Sequence, residues 1–189
     1  LATAIAMPIY GRLVDKFGSA KMFLFSIVLF LVASTLCGLS QDIIMLSVSR
    51  VLQGFGGAGL SLLPVTIISG LIPERSRPKY IVPMISVWSI AGVAGPVLGG
   101  LLTATVGWRW IFWINLPLGL LAILLAVPAL PRQDKLREGK PFGISTLVFF
   151  ILAASSLVFA LHAITEGLTG DISLMVGSSV FAVVMIALF

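Results

Sequence analysis

Arg50 is the residue of this chain whose position most clearly suggests chemistry, because its permanent charge lies inside a long apolar run. It stands seven residues after Ile43, which is roughly 10 Å along a helix. An arginine near the centre of a membrane helix costs about 2.5 to 3.5 kcal/mol, which favours a partner or a polar cavity around it. Gln53 and Gly54 follow closely and belong to the same candidate site. The alternative is that Arg50 extends outward to the membrane surface or binds free backbone carbonyls.

A glycine pattern continues along the same apolar run. Residues 54–59 read GFGGAG, which fits the GxGxxG pattern of dinucleotide sites, and Glu74 lies 20 residues beyond Gly54. Such a site needs a soluble strand, a turn and a helix, whereas these glycines lie within an apolar run. We therefore interpret them as positions where neighbouring membrane helices approach closely.

Residues for covalent catalysis or metal binding are scarce. The chain has one cysteine, Cys37, and no pair of carboxylates within an apolar run, so neither an enzyme nor a metal site is expected. Cys37 is interpreted as a small packing residue. His162 and Glu166 stand four residues apart and could relay a proton, but we interpret them as a solvated helix end.

The elements that must position these residues are membrane helices. The chain is 59% apolar and 10% charged, whereas a soluble domain carries about 25% charged side chains. A spanning helix needs about 20 mostly apolar residues. Runs of this kind predict an all-α, polytopic bundle with helices near residues 1–10, 22–40, 43–71, 81–104, 111–130, 142–163 and 172–189. Because the chain begins and ends inside such runs, we expect it to be a fragment of a longer protein.

The basic residues predict the orientation of these helices. Most of them lie in three alternate loops, namely Arg12, Lys16, Lys21, Arg75, Arg77, Lys79, Arg132, Lys135, Arg137 and Lys140. The opposite loops hold Asp42, Arg109, Glu166 and Asp171. Basic loops of membrane proteins tend to face the cytoplasm. We therefore expect these three basic loops to face the cytoplasm. A lipid bilayer is the expected partner, and the net charge of +5 indicates contact with anionic lipid and not with nucleic acid.

The first predicted loop reads GRLVDKFG over residues 11–18. Gly11 would permit close approach of a neighbouring backbone, and Gly18 the positive φ of a tight reversal. Asp15 could cap a helix or pair with a cation, and Lys16 adds to the basic side. The alternative is a short basic turn that could join any two membrane helices.

The helix predicted at residues 81–104 carries small residues four apart, which would pack closely against a neighbour. Its proline removes one backbone hydrogen bond and can bend the helix. The candidate residues are Gly92, Gly95, Pro96, Gly99 and Gly100. An ordinary packing face is the alternative for the glycines, although it explains the Gly-Pro pair less easily.

An aromatic segment follows this helix, where tryptophan is typical of the outer membrane surface. Its candidate residues are Trp108, Arg109, Trp110, Asn115 and Pro117. Any helix end at a membrane surface could use tryptophan in this way.

Taken together, the four motifs resemble those of the major facilitator superfamily. Residues 11–18 resemble its signature between helices two and three, with Lys16 in place of arginine. Residues 50–54 resemble a helix-four motif that is thought to take part in proton transfer. The GPVLGG run at 95–100 resembles the helix-five motif of antiporters, and residues 108–119 resemble the fourteen-helix drug:proton antiporter branch.

This resemblance implies a major facilitator fold and a division of the chain. Residues 1–130 would supply helices two to six of the N-terminal half. Residues 131–141 would form a cytoplasmic loop, and residues 142–189 would form helices seven and eight, the central insert of a fourteen-helix transporter. The rest of the same transporter chain is then a required partner, and it would supply helix one with any acidic coupling residue.

The resemblance also implies a function. The protein would export lipophilic or cationic drugs in exchange for protons, by alternating access, from the plasma membrane or a bacterial inner membrane. The proton is the expected coupling ion, and no cofactor is expected. A facilitator porter for another metabolite is one alternative, and a channel or a structural membrane protein is another.

Overall fold

The structure is a computed structural model that describes residues 2–130. Within this part the chain forms helices and no strands, so the predicted all-α class is confirmed. The helices are α1 (Ala2–Phe17), α2 (Ser19–Leu39), α3 (Ile43–Leu71), α4 (Pro78–Thr105), α5 (Trp110–Trp113) and α6 (Asn115–Ala129), with a 3-10 turn at Glu74–Ser76. The predicted loop at 131–141, the helices at 142–163 and 172–189, and the pair His162 and Glu166 lie outside the described residues.

Four helical segments of the described part are long and apolar enough to cross a membrane. They are α2, α3, α4 and the segment Trp110–Ala129 that joins α5 to α6, with lengths of 21, 29, 28 and 20 residues. About 20 residues suffice to span the hydrocarbon core. The predicted polytopic membrane architecture is therefore confirmed.

Most of the first predicted loop is helical, and this part of the prediction was wrong. α1 continues through Phe17, so Gly11, Asp15 and Lys16 lie in its last two turns. Residues 12–17 contain neither proline nor glycine, and α1 continues past both Pro8 and Gly11. Gly18 then reverses the chain with a φ of 88°, as predicted for this position.

Two expected roles in the same motif are also corrected. The residue that precedes α2 at its cap position is Gly18, so Asp15 does not cap that helix. No heavy atom of residues 2–130 lies within 4 Å of a Cβ built on Gly11, so close backbone approach is not found there. Lys16 instead places its ammonium 5.3 Å from the ring centre of Phe17.

The core lies where α1 and α2 pack against α3. Its buried apolar side chains come from all three helices and are Ala6, Tyr10, Met22, Ala58 and Leu63. α3 carries no bulk at the points of closest approach. A Cβ on Gly54 would lie 2.8 Å from the Cβ of Ala2, and one on Gly56 would lie 2.6 Å from the backbone nitrogen of Phe30. The glycine pattern is therefore a packing motif between helices, as predicted from its apolar context.

α6 packs on the other side of α2, whereas α4 stands apart. A Cβ on Gly119 of α6 would clash with the side chain of Leu31, and one on Gly38 would lie 3.0 Å from the indole nitrogen of Trp113. No residue of α4 is buried among the described residues. The packed unit of residues 2–130 is thus formed by α1, α2, α3 and the α5–α6 segment.

The helix predicted at 111–130 is interrupted near its start. α5 ends at Trp113 and α6 begins at Asn115. Pro117 explains the break, because it has no N–H to donate to the carbonyl of Trp113, its partner in a continuous helix. Backbone carbonyls at such a break need other donors inside a membrane.

Candidate functional site

Arg50 lies on α3 and contacts two groups in the described part of the chain. Its Nη1 atom donates a hydrogen bond of 3.3 Å to Oε1 of Gln53, one turn further along the helix. Its guanidinium carbon also lies 4.6 Å from the ring centre of Phe112. A guanidinium over an aromatic face is attracted by the electron-rich surface of the ring. Both contacts hold the charge at the junction between α3 and α5.

Gln53 connects Arg50 to the neighbouring helix α2. The side chain is buried, with 7% of its surface exposed. Its Nε2 atom donates a hydrogen bond of 3.1 Å to Oγ of Ser34. The thiol of Cys37 lies 3.9 Å from Oε1 of the same amide, which is a weak contact. Cys37 therefore adds a weak polar contact to the packing role that we predicted for it.

Ser34 connects the same cluster to the α5–α6 segment. Its hydroxyl donates a 3.0 Å hydrogen bond to the backbone carbonyl of Phe112. The amide of Asn115 donates a 2.9 Å hydrogen bond to that hydroxyl and a longer one of 3.4 Å to the carbonyl of Ile111. We call the group formed by Ser34, Gln53, Arg50, Phe112 and Asn115 the Ser34 junction. It joins α2 and α3 to the α5–α6 segment, whose Phe112 and Asn115 lie 78 and 81 residues beyond Ser34.

No carboxylate of residues 2–130 forms an ion pair with Arg50. Glu74 pairs instead with Arg77, at 3.4 Å. Arg50 is otherwise exposed. Its contacts are a side-chain amide and an aromatic ring, so binding to free backbone carbonyls does not describe this arginine. The remaining surface of the guanidinium is open to a further partner.

The aromatic segment forms the end of the bundle nearest to Arg50. Arg109 donates a 3.0 Å hydrogen bond to the backbone carbonyl of Ser40, and its guanidinium lies 4.5 Å from the ring centre of Trp108. Trp108 in turn contacts the ring edge of Phe112 at a centroid distance of 6.0 Å. An open groove of about 810 Å³ lies beside them, and Trp110 and Pro117 line it. The segment thus connects the end of α2 to the Ser34 junction.

The structure brings together some of the predicted site residues and separates others. Gln53 and Asn115 both donate to the hydroxyl of Ser34, although we predicted them in different motifs. The motif at residues 11–18 follows α1 to the opposite end of the bundle, where Gly18 precedes α2. Ser34 and Phe112 were not predicted. A serine inside the apolar run of α2 was the sequence signal for Ser34, but its partners lie 19, 78 and 81 residues away.

Comparison with known proteins identifies the family. The sequence profile of the Major Facilitator Superfamily matches residues 1–189. The chain belongs to the major facilitator superfamily. The family prediction is confirmed, and the proteins of this superfamily are transporters, not enzymes.

Several known proteins are similar to the chain along most of its length. Multidrug resistance protein 3 of Bacillus subtilis is 36% identical, over all of the chain and 37% of that protein. Efflux pump dotC of Dothistroma septosporum is 37% identical, over all of the chain and 33% of its own length. The uncharacterized transporter YebQ of Escherichia coli is 32% identical, over 88% of the chain and 36% of that protein. The chain therefore spans about a third of the length of these relatives.

The helix-five motif of this facilitator chain lies on α4, and its small residues face open space within residues 2–130. No described heavy atom lies within 4 Å of a Cβ built on Gly92, Gly95, Gly99 or Gly100. The helix continues through Pro96. The close packing that we predicted for this face is therefore not found within the described part, and its role stays a prediction.

Proposed function

We propose that the full-length protein exports lipophilic or cationic small molecules across a cell membrane in exchange for protons, by alternating access. This chain supplies helices two to six of the N-terminal half in residues 1–130. Residues 142–189 supply the central insert of a fourteen-helix transporter. Two similar proteins support the export of drugs, since they carry the names multidrug resistance protein and efflux pump.

The observation that carries this proposal is the placement of Arg50. A permanent positive charge is held on a membrane-spanning helix by Gln53 and by the face of Phe112, and part of it is left exposed. Arginine does not release its proton at physiological pH. Its role is therefore electrostatic, because a nearby positive charge favours the ionised form of a carboxyl group and so promotes proton release. That carboxyl group belongs to the rest of the transporter chain.

Proton exchange can be tested with the full-length protein in proteoliposomes that have an acidic lumen. Ethidium is a suitable probe because its positive charge is permanent, so it does not collapse the gradient by carrying protons passively. Inverted transporters should move ethidium inward and protons outward, so ethidium addition should raise the pH of the lumen. A proton ionophore should stop ethidium uptake. An ethidium uptake rate that is the same with and without the pH gradient would indicate a facilitator or a channel and would contradict the proposal.

Gly99→Leu tests the role of the α4 motif in the same assay. We expect the rate of exchange to fall about 5- to 150-fold, because the proposed function places this face against the rest of the transporter chain, and added bulk in a helix interface typically costs about 1 to 3 kcal/mol. Membrane insertion and thermal stability of α1 to α3 should persist, because Gly99 has no neighbour there. Val97→Leu is the control on the opposite face of α4 and should exchange normally. Normal exchange by Gly99→Leu would show that transport does not require a small residue at this position of the motif.

A further inference from the structure

The hydroxyl of Ser34 uses its whole hydrogen-bonding capacity on three different partners. A serine hydroxyl offers one donor and two acceptor positions. Here the donor is given to the carbonyl of Phe112, and the two acceptor positions receive the amides of Gln53 and Asn115. Ser34 has 0% of its surface exposed. Water therefore cannot replace any of these bonds without a change in the packing.

These bonds set the orientation of the Gln53 amide. Because Ser34 accepts from the NH2 group of Gln53, the amide oxygen is left for Arg50. With the amide reversed, its two N–H donors would face a guanidinium, which offers donors only. The hydroxyl of Ser34 thus keeps an acceptor pointed at the positive charge.

The second contact of Arg50 depends on the same hydroxyl. The ring of Phe112 lies under the guanidinium, and the carbonyl of Phe112 accepts the Ser34 hydrogen bond. This carbonyl lies beside the break between α5 and α6, where Pro117 removes a backbone donor. Ser34 therefore holds both groups that contact the guanidinium, one on α3 and one on α5.

We propose that Ser34 is a positioning residue for Arg50. It acts through Gln53 and Phe112, fixes the guanidinium at the meeting point of α2, α3 and α5, and so keeps the charge where proton exchange requires it. This inference rests on the proposed proton exchange, in which Arg50 promotes proton release.

Two substitutions of Ser34 and one neighbour test this role in the full-length protein. Ser34→Ala should lower the maximal rate of ethidium-driven proton movement about tenfold, because two amides and one carbonyl lose a common partner. The ethidium concentration at half-maximal rate should change less than about twofold, since substrate binding is left intact. Ser34→Thr keeps the hydroxyl and should recover part of the rate. Thr35→Val is the matched control, because the Thr35 hydroxyl bonds to Leu31 within α2, and it should leave the rate unchanged.

A double-mutant cycle, measured by thermal unfolding, tests this inference separately from the proposed function. The Tm is measured for the unaltered protein, for Ser34→Ala, for Arg50→Ala and for the double variant. If Ser34 acts on Arg50, both single substitutions remove the same interaction. The Tm of the double variant should then fall by less than the sum of the two single Tm shifts. Additive Tm shifts, or a Ser34→Ala variant with an unchanged maximal rate, would overturn the role of Ser34. Absence of ethidium-driven proton movement in the unaltered protein would overturn the proposed function, and the Tm cycle then decides the inference about Ser34.

Discussion

Replacing Arg50 by alanine is expected to abolish most ethidium-driven proton movement by the full-length transporter while leaving ethidium binding intact. The substitution removes the charge that Gln53 and Phe112 hold at the junction of α3 and α5. An interaction with a charged group contributes about 1.5 to 3 kcal/mol. Since about 1.4 kcal/mol corresponds to a factor of ten, the rate should fall roughly 10- to 100-fold. Proton movement is measured in proteoliposomes and ethidium binding at equilibrium in detergent.

Two controls make this result specific to the guanidinium and its place. Arg50→Lys keeps the charge but loses the planar group that lies over the ring of Phe112, so it should recover part of the exchange. Arg75→Ala removes an exposed arginine near the start of α4 and should leave exchange unchanged. Undiminished exchange by Arg50→Ala would rule out the coupling role. If neither Arg50 variant folds, the arginine is a structural residue.

Gly56→Ala should destabilise the full-length protein by about 1 to 3 kcal/mol, which is typical when bulk is added to a close-packed interface. The added methyl group would lie 2.6 Å from the backbone nitrogen and 2.8 Å from the Cα of Phe30. Backbone atoms cannot move aside as the end of a flexible side chain can. α2 and α3 must therefore separate, and the measurement is a lower Tm with a lower yield of monodisperse protein.

Gly70→Ala is the matched control for this substitution. Gly70 lies on the same helix, but no described atom is within 4 Å of the place that the new methyl group would occupy, so no contact opposes the change. Alanine is also the better helix former by about 0.5 to 1 kcal/mol. The Tm of Gly70→Ala should therefore stay the same or rise. Equal losses of stability in the two variants would show that close approach at Gly56 is not the cause.

The sequence could predict those features that depend on neighbours along the chain. The ends of α3 follow from one apolar run between polar residues, and the structure places them at Ile43 and Leu71 as predicted. Arg50 and Gln53 are three apart, so a helix brings them to one face, where they form a hydrogen bond. Gly18 adopts the positive φ that was predicted for it from its residue type.

Other features depend on tertiary packing, and local patterns could not show which residues would meet. The partners of Ser34 on the α5–α6 segment lie 78 and 81 residues away, and many serines occur in this chain. The charged residues of the 11–18 motif suggested a loop. They instead form the last turns of α1, which continues to Phe17. The sequence shows that Pro117 can break a helix. It does not show that a donor from α2 lies beside the break, because that depends on how α2 packs.

The partners of Ser34 are separated in sequence, and this separation sets the order in which its hydrogen bonds can form during synthesis. Gln53 emerges soon after Ser34, whereas Asn115 follows it by 81 residues. At about 5 to 20 residues per second, that separation corresponds to roughly 4 to 16 s of translation. The hairpin of α2 and α3 can therefore form first, with the Ser34 and Gln53 side chains already bonded to each other. Arg50 can contact Phe112 only after Phe112 has been synthesised, several seconds later. The Ser34 junction can therefore assemble in two stages during translation.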